Sequence, residues 1–425
     1  MAKGAVSCLV SLLAFHVSAA FAFKPMNAYT NRGVYGCVSA VNTNAQSARS
    51  TTSSFCGGSR RNRKPEMNQM NTALSAAATA APAVATTSKC SLWATAASTS
   101  IKKLPRMYAL LAAATLAFIA WWRKAIWTAS RTYNREANTV GNEYDAWTTE
   151  GILEYYWGEH IHLGYYTEEE RLADYRKKNF VEAKYDFIDR MAEFGQIDGV
   201  KPAAILDVGC GIGGTSRYLA KKFGADTSVT GITLSPEQQK RATALAQERG
   251  ITNANFQVMD ALDMTFPDNS FDVVWACESG EHMPDKKRYV EEMARVLKPG
   301  GRIVIATWCQ RDDTTAPFTP EEKKTLQFLY DEWTHPYFIS IEEYGRLMGG
   351  TDKLINVETD DWAIQTIPSW RHSIWVGVYD PWPVIKRPHL WWKCFRDGLT
   401  LERMHGAFSD GLMQYGMMTS TKKVA

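Results

Sequence analysis

The sequence predicts an α/β fold, a doubly wound and mostly parallel sheet with helices on both faces. Three observations carry that expectation. The stretch Ile205-Leu206-Asp207-Val208-Gly209-Cys210-Gly211-Ile212-Gly213-Gly214 runs from apolar residues through an acid into a glycine-dense turn, and 215–220 after it reads as helix. That order is strand, loop, helix. Strand and helix then alternate at short intervals as far as residue 307. Charge sets the folding unit apart: residues 1–135 hold sixteen Lys or Arg and one acid, Glu66, a balance of +15, so 136–425 carry −12 within a whole of +3.

Taken in order, Lys3 and the apolar run 6–17 lead to the small residues Ser18-Ala19-Ala20, a secretory signal pattern over 1–20 that is too short to span a bilayer. A Ser/Thr/Ala/Asn-rich, basic tract follows over 21–100, opening at Phe21, and has the composition of an unfolded transit-like leader. The pairing resembles the bipartite presequences of algae with secondary plastids, which implies a plastid location. Next comes the apolar run 107–122, with Lys102, Lys103 and Arg106 before it and Arg123 and Lys124 after it. Its length at ~1.5 Å per residue is about 24 Å, short of the ~30 Å hydrocarbon core. Snorkelling cations and the interfacial pair Trp121-Trp122 make up the difference. Residues 104–127 are therefore expected to anchor the chain to an envelope or thylakoid membrane. None of the eight cysteines forms C-x-x-C, which points away from a zinc site or disulfide framework and toward a reduced compartment. The acidic body argues against nucleic acid, whose phosphates its field would repel.

The folded domain is expected over 140–425. Near its start, Tyr155, Tyr156, Trp157, His160 and His162 lie in a stretch that Gly158 and Gly164 break. Aromatic and polar residues mixed in this way line ligand clefts, so these five are the expected substrate-side residues. No third ligand follows the two histidines at a useful spacing, and no metal is expected. A helix is expected near 175–194. Beyond the glycine turn, 228–233, 255–259, 271–276 and 302–307 read as strands. The segment 236–249 reads as a helix started by Ser235 as N-cap and Pro236, and 286–297 as one stopped by Lys298-Pro299-Gly300-Gly301. Ligands of such sheets bind at the carboxyl ends of the strands. Asp207 with Gly209, Thr233, Asp260 and Glu278 stand at four of those ends and should face one crevice.

Those positions bear on the cofactor. Glycines let backbone approach a ligand where a Cβ would collide. Asp207, however, would repel a pyrophosphate, while a ligand with a ribose and an ammonium group suits it; S-adenosylmethionine (SAM) has both. A dinucleotide fold wants an acid about 20 residues past the glycines to hold the ribose. Here Thr233 stands there, which counts against hydride transfer.

Asp207 to Gly214, Gly231-Ile232-Thr233-Leu234-Ser235-Pro236, Glu278-Ser279-Gly280-Glu281-His282-Met283-Pro284-Asp285-Lys286 and Lys298-Pro299-Gly300-Gly301 together resemble the γ-tocopherol methyltransferase family. This is a class I SAM-dependent branch near the sterol and cyclopropane-fatty-acid types, and the resemblance spans about 144–418. Ile152-Leu153-Glu154-Tyr155-Tyr156-Trp157-Gly158, Trp333-Thr334-His335-Pro336 and Gln310-Arg311-Asp312-Asp313 look more like the cyanobacterial-type methyl-phytylbenzoquinol methyltransferases. The resemblance implies a seven-stranded sheet with a final antiparallel strand near 412–420. It also implies that Thr233, Leu234 and Gln238 lie by the ribose and that Asp260 and Ala261 lie by the adenine. With the loop, the expected cofactor set is Asp207, Gly209, Gly211, Gly213, Thr233, Leu234, Gln238, Asp260 and Ala261.

The acceptor implied is a prenylated quinol or tocopherol, methylated on a ring carbon. Such a transfer needs a phenol made nucleophilic and a ring proton removed, hence bases at the crevice. His282, Glu281 and Glu278 follow the fourth strand and are the expected catalytic residues. His282 is placed to take a proton at an ordinary pKa of about 6.5, and Glu278 to favour the sulfonium charge. A helical lid is expected around 318–348. Residues 362–410 interleave tryptophans with basic side chains, as surfaces at a lipid headgroup layer do. A sterol or small-molecule amine methyltransferase is the rival enzyme. A non-catalytic prenyl-lipid binder is the rival outside enzymes, but it would need neither the glycine loop nor 278–282.

Overall fold

A computed structural model of the chain describes residues 106–199, 201–314 and 316–424, all within one compact unit spanning 88–425. The expected signal peptide (1–20) and transit-like leader (21–100) lie outside the described residues.

Helix α1, Arg106–Trp127, is 22 residues long. At ~1.5 Å per residue that is about 33 Å, enough for a ~30 Å core. The apolar run alone falls short because it omits the basic last turn. From Leu110 to Trp127 no residue is buried. Its C-terminal end is nonetheless fastened to the domain. Trp122 meets Trp392 at 5.6 Å and Phe395 at 5.8 Å between ring centroids. Arg396 donates to Ala125 O and to Thr128 O, and Arg403 donates to Ile126 O. Two guanidinium groups thus satisfy carbonyls at the end of the helix, where they also suit the helix dipole.

Apart from short helical turns such as Glu168–Leu172, Ala363–Thr366 and Trp382–Ile385, the helices that follow are α2 Thr139–Glu150, α3 Ile152–Trp157, α4 Glu182–Phe194, α5 Gly214–Phe223, α6 Pro236–Glu248, α7 Lys286–Val296, α8 Pro320–Glu332, α9 Ile341–Gly349, α10 Pro368–Tyr379 and α11 Trp391–Ser409. The strands are β1 Ala204–Val208, β2 Ser228–Thr233, β3 Ala254–Val258, β4 Phe271–Cys277, β5 Leu297–Gln310, β6 Leu354–Asp361 and β7 Met413–Lys422. They form one seven-stranded sheet in the order β3-β2-β1-β4-β5-β7-β6. β1 to β5 run parallel, and β7 is antiparallel to both β5 and β6. Strand order reverses between β1 and β4, which is where such sheets open a ligand crevice.

Both faces are covered, so the central strands read as nearly continuous apolar runs. Ile205, Val273, Trp275 and Val304 pack to one side, and Leu206, Val274, Ala276 and Ile303 to the other. Ser235 caps α6 through Gln238 N, with Pro236 in the first turn, as expected.

Two strands differ from the sequence reading. β5 begins at Leu297, not 302, because Lys298 to Gly301 bulge from the ladder: Phe271 pairs with Leu297 and Val273 with Arg302. β6 has no expected counterpart. It is an edge strand whose Glu358, Thr359, Asp360 and Asp361 are all exposed. It therefore lacks the apolar alternation that marks a strand, and its acids discourage further pairing.

Candidate active site

The turn after β1 is held tightly to β2, with Gly209 N and Cys210 N both 2.9 Å from Ile232 O. Gly209 has φ +84°, and a Cβ there would collide with Ser279. Gly211, at φ +55°, faces open space; its nearest neighbours would be Gln238 Nε2 and Ile161 Cδ1, both 3.9 Å from a Cβ. This is a cradle where a ligand can lie on bare backbone. Around it a narrow cleft is lined by Asp207, Gly209, Gly211, Thr233, Leu234 and Gln238, with Val140, Gly141 and Tyr144 of α2 on one wall. Asp145 ties α2 in place through Ser235 Oγ and Glu237 N. Asp207 is buried and accepts from Ser216 Oγ at 2.6 Å, while burial pushes its carboxyl up to about 6. Thr233 Oγ1 donates to Gln238 Oε1 at 2.8 Å. His162 donates from Nδ1 to Leu163 O, so its Nε2, buried and without a partner, is left as an acceptor in the same cleft.

A second cavity of about 650 Å³ adjoins this cleft, and Tyr144, Ile161, Glu278 and His282 line both. Its walls are mostly apolar: Trp147, Leu153, Trp157, Trp308, Trp370, Ile374, Trp391 and Leu401. At the junction Glu278 has φ +49°, a strained backbone for a residue with a Cβ. Its Oε1 accepts from Leu163 N and from Tyr415 Oη, each at 2.7 Å. Glu281 is buried and accepts from Thr307 Oγ1 at 2.6 Å. Burial pushes both carboxyls up toward neutrality, and the charge of Glu281 adds to the effect on Glu278. His282 shares a 3.0 Å hydrogen bond with Tyr144 Oη and stacks on His335 at 4.4 Å. Burial, helped by the nearby Lys286 charge, lowers its pKa to about 3.

A methyltransferase domain model matches residues 206–305. A 2-methyl-6-phytyl-1,4-hydroquinone methyltransferase from Synechocystis is 44% identical over 301 residues, covering 68% of this chain and 90% of that one. The chain belongs to the family of methyl-phytylhydroquinone and tocopherol methyltransferases. As a member, it is a SAM-dependent methyltransferase. Chloroplastic tocopherol O-methyltransferase of Arabidopsis thaliana is 36% identical over 294 residues, 64% of this chain and 79% of that one. Ajmaline N-methyltransferase of Rauvolfia serpentina is 31% identical over 269 residues, 62% of this chain and 91% of that one. Among solved structures, geranyl diphosphate C-methyltransferase from Streptomyces coelicolor matches with a TM-score of 0.51 at 20% identity, covering 67% of this chain and 96% of that one. The [4+2]-cyclase SpnF also matches at 0.51, with 23% identity, 70% of this chain and 100% of that one. A methyltransferase and a cyclase on one fold show that the fold alone does not fix the chemistry.

The methyl-donor fit rests on the bare backbone at Gly211, the buried Asp207 carboxyl and the orphaned His162 Nε2, a donor and acceptor set suited to an amino-acid-bearing nucleoside. Several expected placements change. Gly213 does not line the cleft; its φ of +78° starts α5, and a Cβ would strike Phe256. Asp260 and Ala261 also lie off the cleft: Asp260 caps its own turn at Leu262 N and meets Arg135, while Ala261 is in the core. His160 and His162 stand on the cofactor cleft and not on the acceptor cavity, His160 bonded to Thr215 Oγ1. Tyr155 is exposed and donates to Asp380 away from both, whereas Tyr156 and Trp157 line the large cavity. His282 is held neutral, with a basicity far below the ordinary imidazole, because it loses solvent at the junction.

Sequence reasoning passed over Tyr144, Trp308, Trp333, His335 and Trp370 as cavity residues. Trp308 could have been found from its place at the carboxyl end of β5, and the others only from aromatic density. Glu281, His282 and His335 offer ligand atoms all within 4.8 Å of one another, a set able to hold a divalent ion, although no metal was expected.

Proposed function

We propose that the protein transfers a methyl group from SAM to an aromatic ring carbon of a prenylated hydroquinone, with a tocopherol as the related acceptor. One observation carries the reading: the apolar cavity of about 650 Å³ meets the cofactor cleft at Tyr144, Glu278 and His282. A prenyl tail needs such a wall, and the ring must sit where the two spaces join. The Synechocystis relative matches this chain at higher identity and coverage than the tocopherol enzymes do, which favours the hydroquinone. SAM would supply, when bound, an electrophilic methyl group, the carbon–sulfur bonding pair staying on sulfur.

In this reading Asp207, Gly209, Gly211, Thr233, Leu234 and Gln238 bind the cofactor. Glu278 faces the cationic side, and Glu281 accepts the proton released as the ring carbon is substituted. Their raised pKa values suit proton transfer near neutral pH. His282 orients Tyr144 and the ring by hydrogen bonding, too weakly basic to keep a proton. Tyr156 and Trp157 hold the acceptor.

Access to a bilayer-dissolved acceptor comes from α1 as a membrane anchor and from the exposed Trp382, Trp391 and Trp392, of which Trp391 lines the cavity. Aromatic side chains of this kind settle at headgroup level. The chloroplastic relatives support a plastid location.

The experiment is to give the full-length protein SAM and a panel of prenylated hydroquinones, γ- and δ-tocopherol, a sterol and an indole-alkaloid amine. Turnover with prenylated hydroquinones is expected. Turnover confined to the amine would replace the reading with that of the Rauvolfia relatives.

A further inference from the structure

The acceptor cavity is apolar over most of its wall, yet polar atoms without partners gather at one end. His335 Nδ1 and Nε2, Trp333 Nε1 and His282 Nδ1 are buried with no hydrogen bond, and all three residues line the cavity. A buried polar atom left unpaired is costly, and a cluster of them calls for a ligand's polar atoms. His335 is only 3% exposed, yet it is one of the residues that line the cavity.

The backbone is strained to present this set. Thr334, β-branched, sits at φ +59° between Trp333 and His335. Hydrogen bonds fix the turn on both sides, Trp333 N to Leu329 O at 3.1 Å and His335 N to Tyr330 O at 2.8 Å. Packing then sets the imidazole plane. It stacks on His282 at 4.4 Å and 22°, and meets Phe338 at 5.1 Å and Trp308 at 5.4 Å.

We propose that His335, with Trp333 beside it, binds a free phenolic hydroxyl of the acceptor and thereby selects which ring carbon faces the cofactor cleft. The proposal rests on the prenylated-quinol reading above. A neutral imidazole offers one lone pair and one N–H, so it accepts from the hydroxyl while Trp333 Nε1–H donates to the same oxygen. The prenyl tail against the apolar wall gives one point of attachment and the hydroxyl gives a second. Two points fix the rotation of the ring. A site built around a hydroxyl rejects an analogue that lacks it, whereas an apolar wall barely distinguishes them.

The test compares a prenylated 1,4-hydroquinone with its two monomethyl ethers, using full-length protein in detergent and recording kcat, KM and SAM affinity. The wild type should lose ~10–100-fold in kcat/KM on one ether and much less on the other. His335→Phe keeps the stacking; it should lose a similar factor on the free hydroquinone, discriminate the ethers no longer, and bind SAM within about twofold of wild type. His335→Gln, with a donor and an acceptor, should recover part of the discrimination. Where His335→Phe does not fold, Trp333→Phe carries the test through a smaller loss, about threefold to tenfold, of the same discrimination. Discrimination unchanged in the folded variants overturns the proposal, as does a wild type that methylates the hydroquinone and both ethers equally. Loss of activity to a chelator with rescue by Zn²⁺ also overturns it, since a metal would then occupy Glu281, His282 and His335. A wild type that methylates no prenylated hydroquinone refutes the underlying reading, and this inference falls with it.

Discussion

If Glu278 faces the cationic side of SAM, binding must be coupled to proton release. Glu278 is half-buried beside Glu281, and its carboxyl is pushed up to about 8, first by burial and then by its neighbour's charge. A raised carboxyl pKa means that the free site holds a proton at pH 7. The sulfonium favours the ionised form, so binding expels that proton and affinity rises with pH, levelling off above about 8. Each unit below that pKa costs about 1.4 kcal/mol, or tenfold. SAM affinity should therefore fall about fivefold between pH 8 and pH 7, where the carboxyl is already half protonated at the start, and approach tenfold per unit below that. Asp207, raised to about 6, acts in the same direction at lower pH. S-adenosylhomocysteine carries no sulfonium and serves as the control for Asp207 and every shared contact. Calorimetry in buffers of different ionisation enthalpy counts the protons: close to one released with SAM at pH 7, and markedly fewer with S-adenosylhomocysteine. Glu278→Gln should abolish the difference and weaken SAM more than S-adenosylhomocysteine. Equal pH slopes for the two ligands, or a Glu278→Gln variant that retains the difference, would refute the placement.

Three further outcomes follow from the geometry. Gly211→Asp projects into open cleft and should weaken SAM binding at least tenfold in a folded protein, whereas Gly213→Ala strikes Phe256 and should lower Tm instead; thermal scans with and without SAM separate the two. Glu281→Gln should cut turnover by ~10²–10⁴ at saturating substrates, while His282→Ala should cost less than about tenfold because its imidazole is too weak a base, and single-turnover rates decide between them. A chain starting at Ala129 should partition partly into the soluble fraction yet bind SAM, since the cofactor cleft takes no residue from α1; a full-length protein already soluble without detergent would contradict the anchor.

The parallel half of the fold was legible because its central strands are buried on both faces, so 205–208 and 271–276 stand out as mostly apolar runs between turn signals, while 228–233 was legible from its β-branched residues and its place between helices. β6 was not, since a solvent-facing acidic edge carries no such pattern. The cofactor cradle was legible where backbone dictates residue type, at Gly209 and Gly211, and where strand ends converge, at Asp207, Thr233 and Glu278. At Gly213 packing against Phe256 already requires a glycine, and in sequence such a glycine looks like one required by a ligand. Asp260 stands at a strand end and also caps its own turn, a second use of the same carboxylate that sequence does not separate from ligand binding. His282 was found by position, but its basicity depends on solvent excluded by Tyr144 and His335, which lie far from it in the chain. His335 and Trp333 reach the cavity through one left-handed residue, Thr334, a conformation that composition does not announce.

The fate of the methyl group decides between carbon and oxygen transfer. Full-length protein is incubated with SAM labelled with ¹³C at the methyl carbon and a prenylated hydroquinone, and the product is read by NMR. Transfer to carbon puts the label on the ring, with loss of one aromatic proton per turnover. A label on oxygen, or no labelled product from any prenylated acceptor, would contradict it.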